Sequence, residues 1–312
     1  MQRNLLDYFK ITLKGMAMGA ADVVPGVSGG TIAFISGIYE ELIATIGGVK
    51  IELFSTWKNE GFKSMWKELN GNFIIALFAG ILVSIFTLMR LANYLLENHP
   101  VLIWSFFFGL VLSSIWFVAK QIPKWNFKIV LALILGAALA YYIVSLPPMH
   151  TSSSYLFIFF SGALAICAMI LPGISGAFIL VLLGAYKSIT EAVHDFDFKT
   201  IASFGIGAVI GLLSFSRLLK WLFEHYGNIT LAALTGFIAG SLPKIWPWKE
   251  VLESATFGEK KVVLKEATVL PWNFEGDPQT LWAILLMIAG FLLILILESV
   301  ATLNSDSANA AN

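Results

Sequence analysis

Two stretches decide the fold: Val24-Pro25-Gly26-Val27-Ser28-Gly29-Gly30-Thr31 and Leu171-Pro172-Gly173-Ile174-Ser175-Gly176-Ala177. Each interrupts a long apolar region, the first over 14–46 and the second over 155–189. Proline donates no backbone hydrogen bond and glycine tolerates left-handed dihedrals, so Pro-Gly-x-Ser-Gly breaks a helix and frees backbone N–H groups. At membrane depth such backbone survives only where it is buried in protein or lines a wet cavity. The segment from Thr31 to residue 46 is expected to restart as a helix, with unpaired N–H groups at its start.

The two breaks are one motif met twice. Pro172 follows Pro25 by 147 positions (172 − 25), and the same offset pairs Gly26 with Gly173, Ser28 with Ser175, Gly29 with Gly176, Gly37 with Gly184 and Tyr39 with Tyr186. Further on the offset is 127 (217 − 90), pairing Gly80 with Gly207, Arg90 with Arg217, Glu97 with Glu224 and Gly109 with Gly236. The difference falls in the polar stretch 47–70, an insertion in the first half. The chain therefore reads as one membrane domain of two repeats, 1–146 and 147–312, the second with a polar loop over 243–279.

Composition agrees. The 312 residues are 58% hydrophobic and 13% charged, with a mean hydropathy of +0.81. A soluble domain carries roughly 25% charged residues, so lipid must be the solvent for much of this chain. A spanning helix needs roughly 20 apolar residues. The stretches 73–96, 101–119 and 127–146 qualify in the first half, and 201–223, 229–242 and 281–297 in the second. The expected class is all-α and polytopic, each half a broken re-entrant hairpin plus about three spans. Whether the breaks are re-entrant or kinked spans stays open. Counted either way, a half holds an odd number of crossings, so the second half is inserted upside down, as in many secondary transporters.

Short-loop lysines and arginines set the orientation. Arg3, Lys10, Lys14, Lys50, Lys58, Lys63, Lys67, Lys120, Lys124 and Lys128 fall on one face. The turns at 97–100 and 147–154 on the other carry none. Both termini are expected in the cytoplasm. The first 22 residues lack the clean apolar core of a signal peptide, because Asp7, Lys10 and Lys14 interrupt them. They read as a membrane-surface or partly inserted helix.

The motif suggests an anion site. A helix N-terminus presents N–H groups and the positive end of a dipole. Ser28 and Ser175 can add hydroxyl donors, and the two tips are expected to approach each other. The candidate substrate-binding residues are Asp22, Pro25, Gly26, Val27, Ser28, Gly29, Gly30, Thr31 and Arg90 in the first half. In the second they are Pro172, Gly173, Ile174, Ser175, Gly176 and Arg217. An arginine deep in a membrane is costly and usually functional, and its guanidinium matches phosphate oxygens. The competing reading is that Arg90 and Arg217 snorkel to an interface. Asp22 has Met169 at its matching position and can be a proton carrier, a counter-charge or a helix cap. The bland reading of the motif itself is a kink that lets helices pack closely.

Other chemistry is thinly represented. The four histidines sit in separate predicted loops with no metal-ligand spacing, the one cysteine, Cys167, lies in an apolar run, and no Walker-type loop is present. No cofactor, metal or catalytic residue is expected. With zero net charge and no basic run, nucleic acid is not an expected partner. A homo-oligomer stays open.

The run Asp22-Val23-Val24-Pro25-Gly26-Val27-Ser28-Gly29-Gly30-Thr31, continuing to Gly37-Ile38-Tyr39-Glu40, resembles the signature of the bacterial polyprenyl-phosphate transporter family. The resemblance covers nearly the whole chain. It implies a protein of the bacterial cytoplasmic membrane that returns undecaprenyl phosphate from the outer to the inner leaflet for cell-wall synthesis. It does not imply an enzyme. Undecaprenyl-pyrophosphate phosphatases share a Pro-Gly-x-Ser motif, but theirs continues with arginine and serine where this chain has Gly29 and Gly30. They also carry a glutamate-rich motif, and 8–21 holds no glutamate here. An exporter or channel for a small anion would use the same helix ends.

Overall fold

The computed structural model describes residues 3–23, 28–50, 52–149, 154–257 and 260–310. Helix α1 (Leu5–Val23) is followed by two short helices, α2 (Gly29–Ile35) and α3 (Tyr39–Gly47). Two short helices, α4 (Glu52–Glu60) and α5 (Phe62–Glu68), occupy the insertion, with Phe54, Trp57 and Phe62 exposed. Long apolar helices follow: α6 (Gly71–Asn98), α7 (Pro100–Lys120) and α8 (Phe127–Ser145). After residue 154 a helix is again followed by two short ones and then long ones: α9 (Tyr155–Ile170), α10 (Gly176–Leu182), α11 (Tyr186–His194), α12 (Phe198–Ser241) and α13 (Thr280–Ala310).

Helices α6, α7, α8 and α12 are long and apolar enough to cross a membrane, and α10 with α11 forms a pair bent by 108°. At 1.5 Å per residue the 44 residues of α12 would reach about 66 Å, more than twice the roughly 30 Å hydrocarbon core. It is long enough to cross twice. Its backbone leaves helical geometry at Tyr226 (φ −136°, ψ 39°), where the sequence suggested a short loop. Thr230 bridges the break, its hydroxyl donating to the carbonyls of Leu222 at 3.2 Å and Tyr226 at 3.1 Å. His99, between α6 and α7, has nearly the same dihedrals (φ −137°, ψ 49°) and lies 127 positions earlier (226 − 99).

The segment from Thr31 to residue 46 is not one helix. It breaks at Gly37, whose φ of +72° is a left-handed value that residues other than glycine seldom adopt. The amide of Gly37 donates to Phe34 O and that of Ile38 to Ala33 O, the paired bonds of a Schellman cap. Gly184 (φ +69°) repeats the arrangement, with Gly184 N to Val181 O and Ala185 N to Leu180 O.

Small residues let the helices meet backbone to backbone. A Cβ on Gly80 of α6 would strike the Thr12 carbonyl of α1, and one on Gly207 of α12 would strike the Phe159 carbonyl of α9. The glycines differ by 127 (207 − 80) and the carbonyls by 147 (159 − 12), the two offsets read from the sequence. Likewise Gly109 of α7 abuts Met287 of α13, and Gly236 of α12 abuts Leu133 of α8. The last helix of each half thus packs on the other half. Phe86, Leu135, Leu139 and Ile288 point outward, where lipid is the natural solvent.

The all-α expectation needs one amendment. The loop over 243–279 holds an antiparallel hairpin, β1 (Lys249–Phe257) and β2 (Lys260–Thr268).

Candidate functional site

Every residue of α2 is buried, and Ser28 and Thr31 are each 1% exposed. Ser28 is the N-cap: its backbone is extended (φ −119°, ψ 132°) and its hydroxyl accepts from Gly30 N at 3.1 Å. Asp22, at the end of α1, accepts from Gly29 N at 2.6 Å. The Thr31 amide donates to Ser28 O at 2.9 Å. The N–H groups at the start of α2 are therefore capped within the chain, one of them by a carboxylate. Position 29 must be small for this, since a Cβ there would overlap the Asp22 carboxylate.

The second tip is built alike. Ser175 (φ −93°, ψ 147°) caps α10, its hydroxyl accepting from Phe178 N at 3.2 Å. Pro172 and Ile174 are buried, and Gly173 has φ +99°. Nothing matches Asp22 here, because Met169 stands at its position.

The two tips touch. Ser28 Oγ lies within donating distance of the Met169 and Leu171 carbonyls, at 3.3 and 3.4 Å, which would otherwise be orphans at the end of α9. The amide of Gly173 donates to Thr31 Oγ1 at 2.8 Å. Gly30 approaches the Ile170 carbonyl so closely that a Cβ would collide with it. Thus Ser28, Gly30 and Thr31 of the first motif and Gly173 of the second form one buried junction.

Other candidates lie elsewhere or outside the described part. Pro25, Gly26 and Val27 are outside the described residues. Arg90 belongs to α6, but its side chain is outside the described part. Arg217, on α12, donates to the Val49 carbonyl at 2.6 Å, just past the end of α3, and is exposed. It joins the two halves at a distance from the junction along the chain. Sequence reasoning missed the Met169 and Leu171 carbonyls as partners, since a backbone acceptor leaves no mark in residue type. It also missed Ser241, which lies against Gly173 at the end of α12. Tyr39 sits in the core against Phe34 and Phe223, its hydroxyl buried with no hydrogen-bond partner among the described residues. Among the described residues no three His, Cys, Asp or Glu side chains converge as metal ligands.

Residues 18–263 match a family described as VCA0040-like, undecaprenyl phosphate translocase-like. A polyprenyl-phosphate transporter of Vibrio cholerae is 48% identical over 306 residues, which cover 96% of this chain and 99% of that protein. A polyprenyl-phosphate transporter of Staphylococcus aureus is 31% identical over 264 residues, covering 75% of this chain and 85% of that protein. No solved structure matches the chain.

Proposed function

The chain belongs to the undecaprenyl phosphate translocase-like family of polyprenyl-phosphate transporters, and from that membership we propose that it carries undecaprenyl phosphate between leaflets by alternating access about its two joined tips. It is a multi-pass membrane transporter, not an enzyme. The direction we assign is outer to inner leaflet, in the bacterial cytoplasmic membrane with both termini inside, returning the lipid for cell-wall synthesis.

The observation that carries this reading is the contact of Thr31 with Gly173. Two broken helices from opposite halves meet where a rocking motion would open them to one side or the other. The inverted repeat, 1–146 against 147–312, is supported by the matched dihedrals at His99 and Tyr226, the matched caps at Gly37 and Gly184, and the glycine contacts at offsets 127 and 147. An anionic head held at the tips would leave its apolar tail in lipid.

The tips also suggest how the cycle runs. A phosphate monoester at the first tip needs the N–H groups of Gly29 and Gly30, which Asp22 and Ser28 occupy. Helix α2 has two turns, so its N–H groups, more than a long macrodipole, would hold the anion. Two anions cannot share these donors without repulsion. Substrate binding therefore displaces the Asp22 carboxylate or requires its protonation, which gives a route for coupling to protons. Pro172, Ile174, Ser175 and Gly176 shape the second tip, and Pro25, Gly26 and Val27 are assigned to substrate binding by their place in the sequence motif. Arg217 would reach the head only after releasing Val49, and Arg90 is assigned the matching role.

The test is reconstitution of the full chain with three substrates in parallel. Movement of labelled undecaprenyl phosphate without release of inorganic phosphate from undecaprenyl pyrophosphate supports the proposal. Phosphate release would make it a phosphatase, and flux of inorganic phosphate alone a small-anion pathway.

A further inference from the structure

A charged cluster lies against α10, the helix that follows the second tip. Lys244 stands on the short 3-10 turn Leu242–Ile245, Lys249 opens β1 and Glu266 lies on β2. Both ammonium groups converge on one carboxylate oxygen, Glu266 Oε1, from Lys244 Nζ at 2.8 Å and from Lys249 Nζ at 3.3 Å. Lys249 also donates to the Lys244 carbonyl at 2.9 Å and lies 4.0 Å from the ring centre of Trp104. Lys244 lies 4.7 Å from the ring centre of Phe178. The side chains are 22%, 9% and 18% exposed for Lys244, Lys249 and Glu266, so all three charges are largely out of water.

The charges do not balance. Two cations face one carboxylate, and burying a surplus charge is costly. Burial pushes the Lys249 ammonium down to about 8, with Glu266 offsetting only part of that. Burial pushes Glu266 the other way, but Lys249 and Lys244 outweigh it and hold the carboxyl below its usual range. A structural clamp would need one lysine. Two lysines around one carboxylate leave room for a second anion.

The location fits a passing headgroup. Phe178 is in the first turn of α10, directly after the Ser175 cap, and Ser241, three residues before Lys244, lies against Gly173. Beside the cluster is a groove of about 310 Å³, lined by Phe108, Leu242, Pro243, Trp246, Val269 and Leu270. Its size is at the low end for small-molecule sites, and its lining is apolar, as such sites require. Leu242, Pro243 and Trp246 flank Lys244 in the chain, so the groove and the charged cluster are built on the same short segment.

We propose that this cluster and groove form an outer receiving site for a polyprenyl monophosphate, with the phosphate on Lys244 and Lys249 and the first isoprenoid carbons in the groove. The proposal rests on the transport reading above. Glu266 is the resident counter-ion that the phosphate displaces before the head moves on to the second tip.

The test uses the full chain in lipid nanodiscs, with farnesyl phosphate as probe and farnesol and inorganic phosphate as comparisons. Farnesyl phosphate should bind at least tenfold more tightly than either. Charge-assisted hydrogen bonds are worth enough that Lys244→Gln or Lys249→Gln should weaken it tenfold or more. Glu266→Gln should tighten it severalfold, because it removes the competing charge, and this opposite sign is what a structural salt bridge would not produce. In leaflet transport, Lys249→Gln should raise the half-saturating lipid concentration and spare the maximal rate. Equal binding of inorganic phosphate would overturn the lipid assignment. Unchanged affinity in the lysine variants, or weaker binding in Glu266→Gln, would overturn the site. Should the variants match a wild type that moves lipid, only the receiving site fails. Should the wild type move no lipid, the transport reading fails, while the binding pattern still decides the site.

Discussion

The Gly173 amide donates a 2.8 Å hydrogen bond to the Thr31 hydroxyl, so the second broken helix is held by the first. Thr31 is buried and the bond crosses between halves. Replacing the hydroxyl by a methyl orphans a buried donor, which costs about 1–3 kcal/mol. Thr31→Val should lower unfolding stability by that amount in detergent denaturation and reduce transport. Thr31→Ser keeps the acceptor and should recover most of both. Equal behaviour of the two variants would mean that the hydrogen bond does not hold the tips.

Gly37 and Gly184 each end a short helix with φ near +70°. Alanine in the left-handed region costs about 1–2 kcal/mol. At Gly37 a Cβ would meet open space, so the penalty there is conformational. Gly37→Ala and Gly184→Ala should each destabilise by this amount, and Gly37→Asn by less. Thermal unfolding checks it, and an unaffected Gly37→Ala would contradict the cap geometry.

Arg217 holds the Val49 carbonyl in the arrangement described, and the proposed cycle needs it to let go and reach the head. Arg217→Ala should abolish transport while leaving the protein inserted and folded, and Arg217→Lys should retain only part, since it lacks the planar fork. Normal transport by Arg217→Ala would remove it from the site.

The hairpin should respond to pH at both ends. Glu266 has a folded value below its usual 4.5, so it contributes stability above that range, lost as pH falls through the folded value. Lys249 is depressed from 10.5 to about 8. Between those values the unfolded chain binds more protons, so stability rises with pH. Hydrogen-exchange protection of β1 and β2, corrected for intrinsic exchange, should fall at the acid end and rise between pH 8 and 10.5. Glu266→Gln should lose the acid limb.

Much of the fold was legible because its signals are local. Apolar runs marked α6, α7 and α8, and the repeated Pro-Gly-x-Ser-Gly marked both tips. Gly37 and Gly184 were already paired by offset, but the break of the following helix at each was not read from them. The hairpin was missed, although Val262, Val263, Thr256 and Thr268 supply β-branched residues around Phe257-Gly258-Glu259-Lys260, a turn-like run. The junction was legible only in part. Ser28, Thr31 and Gly173 stood in the motif, but their partners depend on how the halves dock. The Arg217 contact to Val49 and the meeting of Lys244, Lys249 and Glu266 are likewise products of packing between distant segments.

The most direct test is leaflet-resolved movement of labelled undecaprenyl phosphate in vesicles holding only this protein, comparing the wild type with a Ser28→Ala, Thr31→Val double variant. The wild type should move the lipid well above protein-free vesicles, and the double variant, still inserted, should not. Equal movement by both would contradict a transport cycle built on the joined tips.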